Sequence, residues 1–237
     1  MGGIIEKRHH YRTPAATLAS SAADAQNLAP MTRILHIHPD NPQPRLIGQA
    51  VAAIRAGELI AYPTDTTYAL GCGIGEKAAL ARLVRLRRLD DKHQFSILCA
   101  DLSGIASYAR VSNSDYRLLK AHTPGPYTFI LAATNELPRR LMHRKKRTIG
   151  IRVPDSPICQ ALLEQLGEPL MTSTLHLPDD EFPLVDPYDI EMALTGQVDV
   201  IVNGGHGGLE ETTVVSLVEA DSPHIVREGA GAVERIF

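Results

Sequence analysis

From residue 31 onward, apolar positions alternate between short unbroken runs and helically spaced repeats. Residues 34–37 read as a short strand. After Asn41-Pro42 and Arg45 a helix opens whose apolar residues Leu46, Ile47, Ala50, Val51 and Ile54 recur at helical spacing until Gly57 stops it. Leu59-Ile60-Ala61-Tyr62 is a buried strand ending at Pro63; a hydroxyl-rich turn and a glycine-bounded apolar piece, residues 68–73, follow it. Residues 77–88 place Leu80, Leu83, Val84 and Leu86 on one helix face and end in arginines. Further strands are predicted over 95–99, 128–132, 148–153, 170–175, 198–202, 213–217 and 225–226. Helices are predicted to start at Asp101-Leu102-Ser103 and to run over 115–121, 157–166 and 190–194. Thr123-Pro124-Gly125-Pro126-Tyr127 is a rigid turn, because its prolines neither continue a helix nor enter a central ladder. Strands alternating with helices predict an α/β fold, and the closely spaced later strands predict a mixed sheet.

Composition narrows the classes. A chain of 237 residues, 44% apolar, is long enough for one large core, and one domain over 31–237 is expected. The net charge of -3 advertises no global basic field, so nucleic-acid binding would need a local patch. Cys72, Cys99 and Cys159 are odd in number and far apart, which argues against a disulfide framework and a CxxC metal site and favours a reducing cytoplasm. No apolar run reaches the roughly 20 residues of a spanning helix. Residues 1–30 lack apolar periodicity and read as a disordered extension. Their basic, acid-poor, Ala/Ser-rich character suits a transit peptide or a start upstream of Met31.

Three stretches carry candidate chemistry. Thr64-Asp65-Thr66-Thr67-Tyr68 concentrates three hydroxyls, a carboxylate and a phenol at a strand end, where open sheets bind small polar ligands; the same residues also fill ordinary turns by bonding their own backbone. Cations gather twice: at Arg85, Arg87, Arg88, Lys92 and His93, and at Arg139-Arg140, Arg144-Lys145-Lys146-Arg147 and Arg152. Guanidinium forks match phosphate geometry, so the second run suits a nucleotide triphosphate or an RNA backbone, or else a solvated face. The third stretch, Gly204-Gly205-His206-Gly207-Gly208, lacks P-loop spacing and reads as a flexible turn. There is no HExxH and no GxSxG, and no metal site is expected.

Five ordered segments then resemble the motifs of the YrdC-like domain family: 62–71, 124–131, Ile149-Gly150-Ile151-Arg152-Val153-Pro154, Thr212-Thr213-Val214-Val215 and Val226-Arg227-Glu228-Gly229. His38-Pro39-Asp40-Asn41-Pro42 and residues 144–150 look most like its YciO branch. The resemblance implies a twisted mixed sheet with a concave basic face, double-stranded RNA or tRNA as partner, and synthesis of L-threonylcarbamoyladenylate from threonine, bicarbonate and ATP for tRNA t6A modification. Magnesium would arrive with ATP. By position, Thr64 and Thr67, with Tyr68 beside them, would contact threonine; Arg87 would face the phosphates; Arg152 would line the site; Thr212, Thr213 and Arg227 would lie near the nucleotide. Arg139, Arg140, Arg144, Lys145, Lys146 and Arg147 would serve RNA. The family's Lys-x-Arg and Ser-x-Asn motifs are altered to Arg87-Arg88-Leu89 and Thr174-Leu175-His176, making Arg87, Arg88, Thr174 and His176 the candidate catalytic residues, with Arg88 standing in for the lost guanidinium if the turn shifts by one. The expectation is a nucleotidyltransferase of weakened or redirected activity; the alternatives are a non-catalytic RNA binder and a hydrolase of a related adenylate.

Overall fold

The structure is a computed structural model that describes residues 31–237 apart from 91, 220, 221 and 237 and the side chain of Arg235; the expected disorder of residues 1–30 lies outside the described residues. Its elements run β1 (Arg33–His36), α1 (Pro44–Arg55), β2 (Ile60–Pro63), β3 (Tyr68–Gly73), α2 (Lys77–Leu86), β4 (Ser96–Leu98), α3 (Asn113–His122), β5 (Tyr127–Ala132), β6 (Thr148–Arg152), α4 (Pro157–Leu166), β7 (Leu170–Thr174), α5 (Pro187–Leu194), β8 (Val200–Asn203), β9 (Thr213–Ser216) and β10 (His224–Arg227). The strands form one mixed sheet in the order β1-β8-β2-β3-β7-β4-β6-β5-β9-β10.

Local signals fix the helix ends. The side chains of Ser112 and Asp115 cap α3 reciprocally, Ser156 caps α4 ahead of Pro157, and Gly167 ends α4 at φ +77°. Asp186 accepts from the Tyr188 amide, so α5 starts at Pro187, three residues before the apolar pattern shows it. The helix expected from Asp101 does not form: Asp101 Oδ1 accepts from the Ser103 amide at 2.6 Å, and this local turn leaves only a short 3-10 turn at Ile105–Ser107.

The two faces of the sheet are covered unequally. On one face, α2, α3 and α5 pack on Leu70, Ile97, Phe129, Ile151, Met171 and Val215. On the other, α1 and α4 bury Ile47, Ile54, Ile158 and Leu162 against Ile60, Tyr62, Leu170 and Val202, each large side chain contributing roughly 1.5–3 kcal/mol. This second cover stops near β7. Beyond it the same face carries Thr172 and Thr174 of β7, Ser96 of β4, Gly150 and Arg152 of β6, Thr128 and Ile130 of β5, and Val214 of β9. Because strand side chains alternate, these polar residues interleave with core residues on the opposite face. The uncovered half is where the site lies.

The glycine cluster is not a loose turn. The Gly208 amide donates to the Thr66 carbonyl at 2.6 Å and the Gly207 amide to Val185, while a Cβ on Gly204 would lie 2.5 Å from Ile158 and 2.7 Å from Pro63. Glycine is needed here because the loop backbone lies directly against the threonine turn.

Candidate functional site

A cavity of about 270 Å³ opens on the uncovered face, floored by hydroxyls and ringed by guanidinium groups. Arg152, at the end of β6 and 7% exposed, ties the threonine turn to the sheet: its Nη2 donates to Asp65 Oδ1 (2.6 Å), Thr66 Oγ1 (2.8 Å) and Thr64 Oγ1 (3.0 Å). Thr64 Oγ1 also donates to the Thr67 carbonyl and accepts from the Thr66 amide. The turn bonds its own backbone, as an ordinary turn does, and also holds a buried ion pair beside the cavity. Asp65 Oδ2 and Arg152 Nε are buried without a protein partner.

Arg87 caps the C-terminus of α2 and reaches across to β7, where its Nη1 donates to Ser173 Oγ at 2.5 Å and its Nε to the His176 carbonyl at 3.0 Å. Arg88 does not replace the missing guanidinium. It adopts φ +48°, points outward and pairs with exposed Asp179 at 3.0 Å. Thr174 lines the cavity, and its neighbour Ser173 supplies the hydroxyl to which Arg87 donates. Leu175 after it is fully buried. The His176 ring lies outside the lining residues, bonded to the Asp180 carbonyl at 3.0 Å and 3.7 Å from Glu211.

Arg227, ending β10, donates to the Thr212 carbonyl at 2.9 Å and pairs with Glu211; Thr212 Oγ1 meets Thr128 Oγ1 at 2.9 Å. Thr213 is fully buried, its hydroxyl donating to the Gly231 carbonyl. Tyr68 donates to the Gly205 carbonyl and accepts from the Gly204 amide. Tyr68, Thr67 and Thr213 thus support the cavity walls without lining them.

The cations crowd one another. Burial, then Arg227, pushes Arg87 down to about 10; burial, then Arg152, lowers Arg227. Arg87 still carries its charge at neutral pH, and Glu211 is the sole carboxylate in the described lining. An entering anion would relieve this repulsion. His93, counted with the cations in the sequence, is a different case: burial, then Arg87, pushes it down to about 4 against the opposing pull of Asp90, so its ring is neutral.

Ser96, Thr128, Thr172, Ser173 and Glu211 line the cavity and were not singled out as site residues from the sequence. The signal that marks several of them is a polar residue at every second position of a strand whose other positions are apolar.

A second cavity of about 800 Å³ lies between α2 and the segment 139–147, with Leu80, Val84, Leu89, Phe95 and Met142 as its apolar part and Lys77, Arg139, Arg140, Arg144 and Arg147 around them. His93 lines both cavities. Part of the cationic run is engaged within the protein: Arg140 donates to the Ile74 and Gly75 carbonyls of the β3–α2 connection, Arg147 to Asn135 Oδ1, and the Lys145 and Lys146 amides to His143 Nδ1.

No group of three or more His, Cys, Asp or Glu is placed to hold a metal among the described residues. All three cysteines are buried and free, and burial pushes each thiol up to about 12. Native protein at pH 8 is therefore expected to resist thiol reagents, with labelling appearing only on denaturation. Mass spectrometry after a maleimide pulse checks this. No helix among the described residues is long and apolar enough to cross a membrane.

Comparison with known proteins agrees with this architecture. The family model described as Telomere recombination, which gathers Sua5, YciO and YrdC, matches residues 52–229. YciO of Escherichia coli, described as uncharacterized, is 52% identical over 204 residues, covering 86% of this chain and 98% of its own. Its crystal structure superposes with a TM-score of 0.84 over 87% of this chain and all of the other. A threonylcarbamoyl-AMP synthase of Chromohalobacter salexigens is 29% identical over 170 residues, covering 71% and 90%. Sua5 of P. abyssi complexed with L-threonine shares the fold, with a TM-score of 0.79 at 24% identity over 86% of this chain and 60% of that one. With more than half its length matched by the family model and half its residues shared with YciO over nearly the whole of that protein, the chain belongs to the Sua5/YciO/YrdC family.

Proposed function

We propose that the protein is a nucleotidyltransferase of the threonylcarbamoyl-adenylate type, taking threonine, bicarbonate and ATP. The observation that carries this reading is the convergence of Arg87, Arg152 and Arg227 on a hydroxyl-floored cavity. Guanidinium forks bind phosphate oxygens and stabilise the charge that develops on departing pyrophosphate. The threonine turn, tied down by Arg152, would orient the amino acid. Magnesium would travel with ATP, held by phosphate oxygens, since Glu211 is engaged by Arg227. The synthase relative and the threonine-bound Sua5 support the choice of substrates. The altered motifs lower the expected rate, because Leu89 packs against the core where the family carries an arginine, and the His176 ring, which stands in place of the family's asparagine, bonds the Asp180 carbonyl outside the cavity lining.

The test is incubation with threonine, bicarbonate and magnesium-ATP, following pyrophosphate release and adenylate formation beside an Arg87→Ala control. Product absent from the control supports the synthase reading; no product from the unaltered protein sinks it.

A second reading rests on the larger cavity. Its five cationic lining residues suit an RNA backbone, as partner to the enzyme or as sole ligand. RNA affinity is then expected to fall steeply with salt and to drop on Arg139→Ala/Arg144→Ala. Salt-independent affinity would exclude this reading.

A further inference from the structure

Five titratable side chains line the smaller cavity: Arg87, His93, Arg152, Glu211 and Arg227. Any reaction there that frees a proton needs an acceptor. The three arginines are cations, and Glu211 is engaged by Arg227 with His176 3.7 Å away. His93 remains. Its Nε2 lies 3.3 Å from Ser173 Oγ, the oxygen to which Arg87 donates at 2.5 Å. A serine hydroxyl has one proton and two lone pairs. With one lone pair taken by Arg87, its proton can point to His93 Nε2, which requires the imidazole proton on Nδ1. One lone pair is then left to accept from a ligand. The ring is steadied edge-on by Phe95, with centroids 4.9 Å apart.

We propose that His93 is the proton acceptor of this cavity, that it acts through the Ser173 hydroxyl, and that an anion bound to Arg87 makes it basic enough to do so. In the free protein, Arg87 opposes an imidazolium, as burial does, and Asp90 favours it. Across the larger cavity the ring shares its surroundings with Arg139, Arg140, Arg144, Arg147 and His143, which add no anion. An anion on Arg87 offsets the repulsion that burial makes costly, so ligand arrival and base strength are coupled. Resting on the synthase reading for its substrate, the step balances simply. As the N–C bond of the carbamate forms at the bicarbonate carbon, the carbon–hydroxyl bond breaks and hydroxide departs; the attacking nitrogen's proton passes to Ser173 Oγ while the Ser173 proton passes to His93 Nε2, leaving neutral serine, an imidazolium and hydroxide, which that proton finally converts to water.

Long-range proton–nitrogen NMR of the full chain follows the imidazole, assigned with His93→Gln, with and without excess inorganic pyrophosphate as the probe. The expected result is a midpoint near 4 in the free protein that rises by roughly 1–2 units with pyrophosphate, and a smaller rise in Arg87→Ala. A midpoint near the ordinary imidazole value without pyrophosphate, or one that pyrophosphate does not move, overturns the proposal. In the rate assay, His93→Gln is expected to lower kcat by roughly 100-fold with KM for ATP held within about twofold, and to alter the pH–rate profile. An unchanged kcat and profile overturns it as well. If the unaltered protein releases no pyrophosphate, the synthase reading fails, and the NMR result still decides the role of His93.

Discussion

Arg87→Ala is expected to reduce pyrophosphate release by roughly 100- to 1,000-fold, the cost of removing one preorganised donor from a developing oxyanion. The effect should fall on kcat and on ATP affinity together, because in the proposed reaction Arg87 would hold the phosphates in the ground state and more strongly as charge develops in the transition state. Folding should survive. The substitution removes two hydrogen bonds, to Ser173 and to the His176 carbonyl, but also a buried cation that Arg227 opposes. Circular-dichroism melting beside the rate assay separates the two effects: a near-native midpoint with lost turnover is the expected pair. Arg87→Lys keeps the charge without the fork and should lose less. Arg88→Ala, whose partner Asp179 is exposed on the outer surface, should leave the rate unchanged.

Arg152→Ala is expected to cost stability as well as activity. It strands Asp65, whose side chain is 8% exposed and whose Oδ2 already lacks a protein partner. Breaking one side of a buried pair typically costs about 3–5 kcal/mol, which for a chain of this size lowers the melting midpoint by roughly 10 °C. Adding Asp65→Asn removes the stranded charge and should recover part of the loss. Thermal melts of the single and double variants check this. If the double variant melts no higher than the single, the buried pair is not what holds the turn.

The elements were legible because their causes are local. The apolar repeat of α1, the Ser156-Pro157 start and Gly167 stop of α4, and the alternation in β5 are all written within a few residues. The mixed sheet followed from the short connections late in the chain. The missed features arise where distant segments meet. Ser173 and Thr174 are adjacent in β7 but face opposite sides of the sheet, so the motif that marks Thr174 passes over the neighbouring hydroxyl that Arg87 holds. Arg88 leaves the site through a left-handed backbone that nothing in its side chain announces. His93 reads as a cation in a basic stretch, and only burial beside Arg87 makes it neutral. The glycine cluster reads as a flexible turn until Thr66 is found against its backbone.

The central claim, that nucleotide phosphates sit among Arg87, Arg152 and Arg227, is tested most directly by a crystal structure of the protein with threonine and a non-hydrolysable ATP analogue. The account predicts phosphate oxygens within hydrogen-bond distance of all three guanidinium groups and the amino acid against Thr64. Phosphates seated instead in the larger cavity between α2 and residues 139–147, or an ordered analogue that touches none of the three arginines, would contradict it.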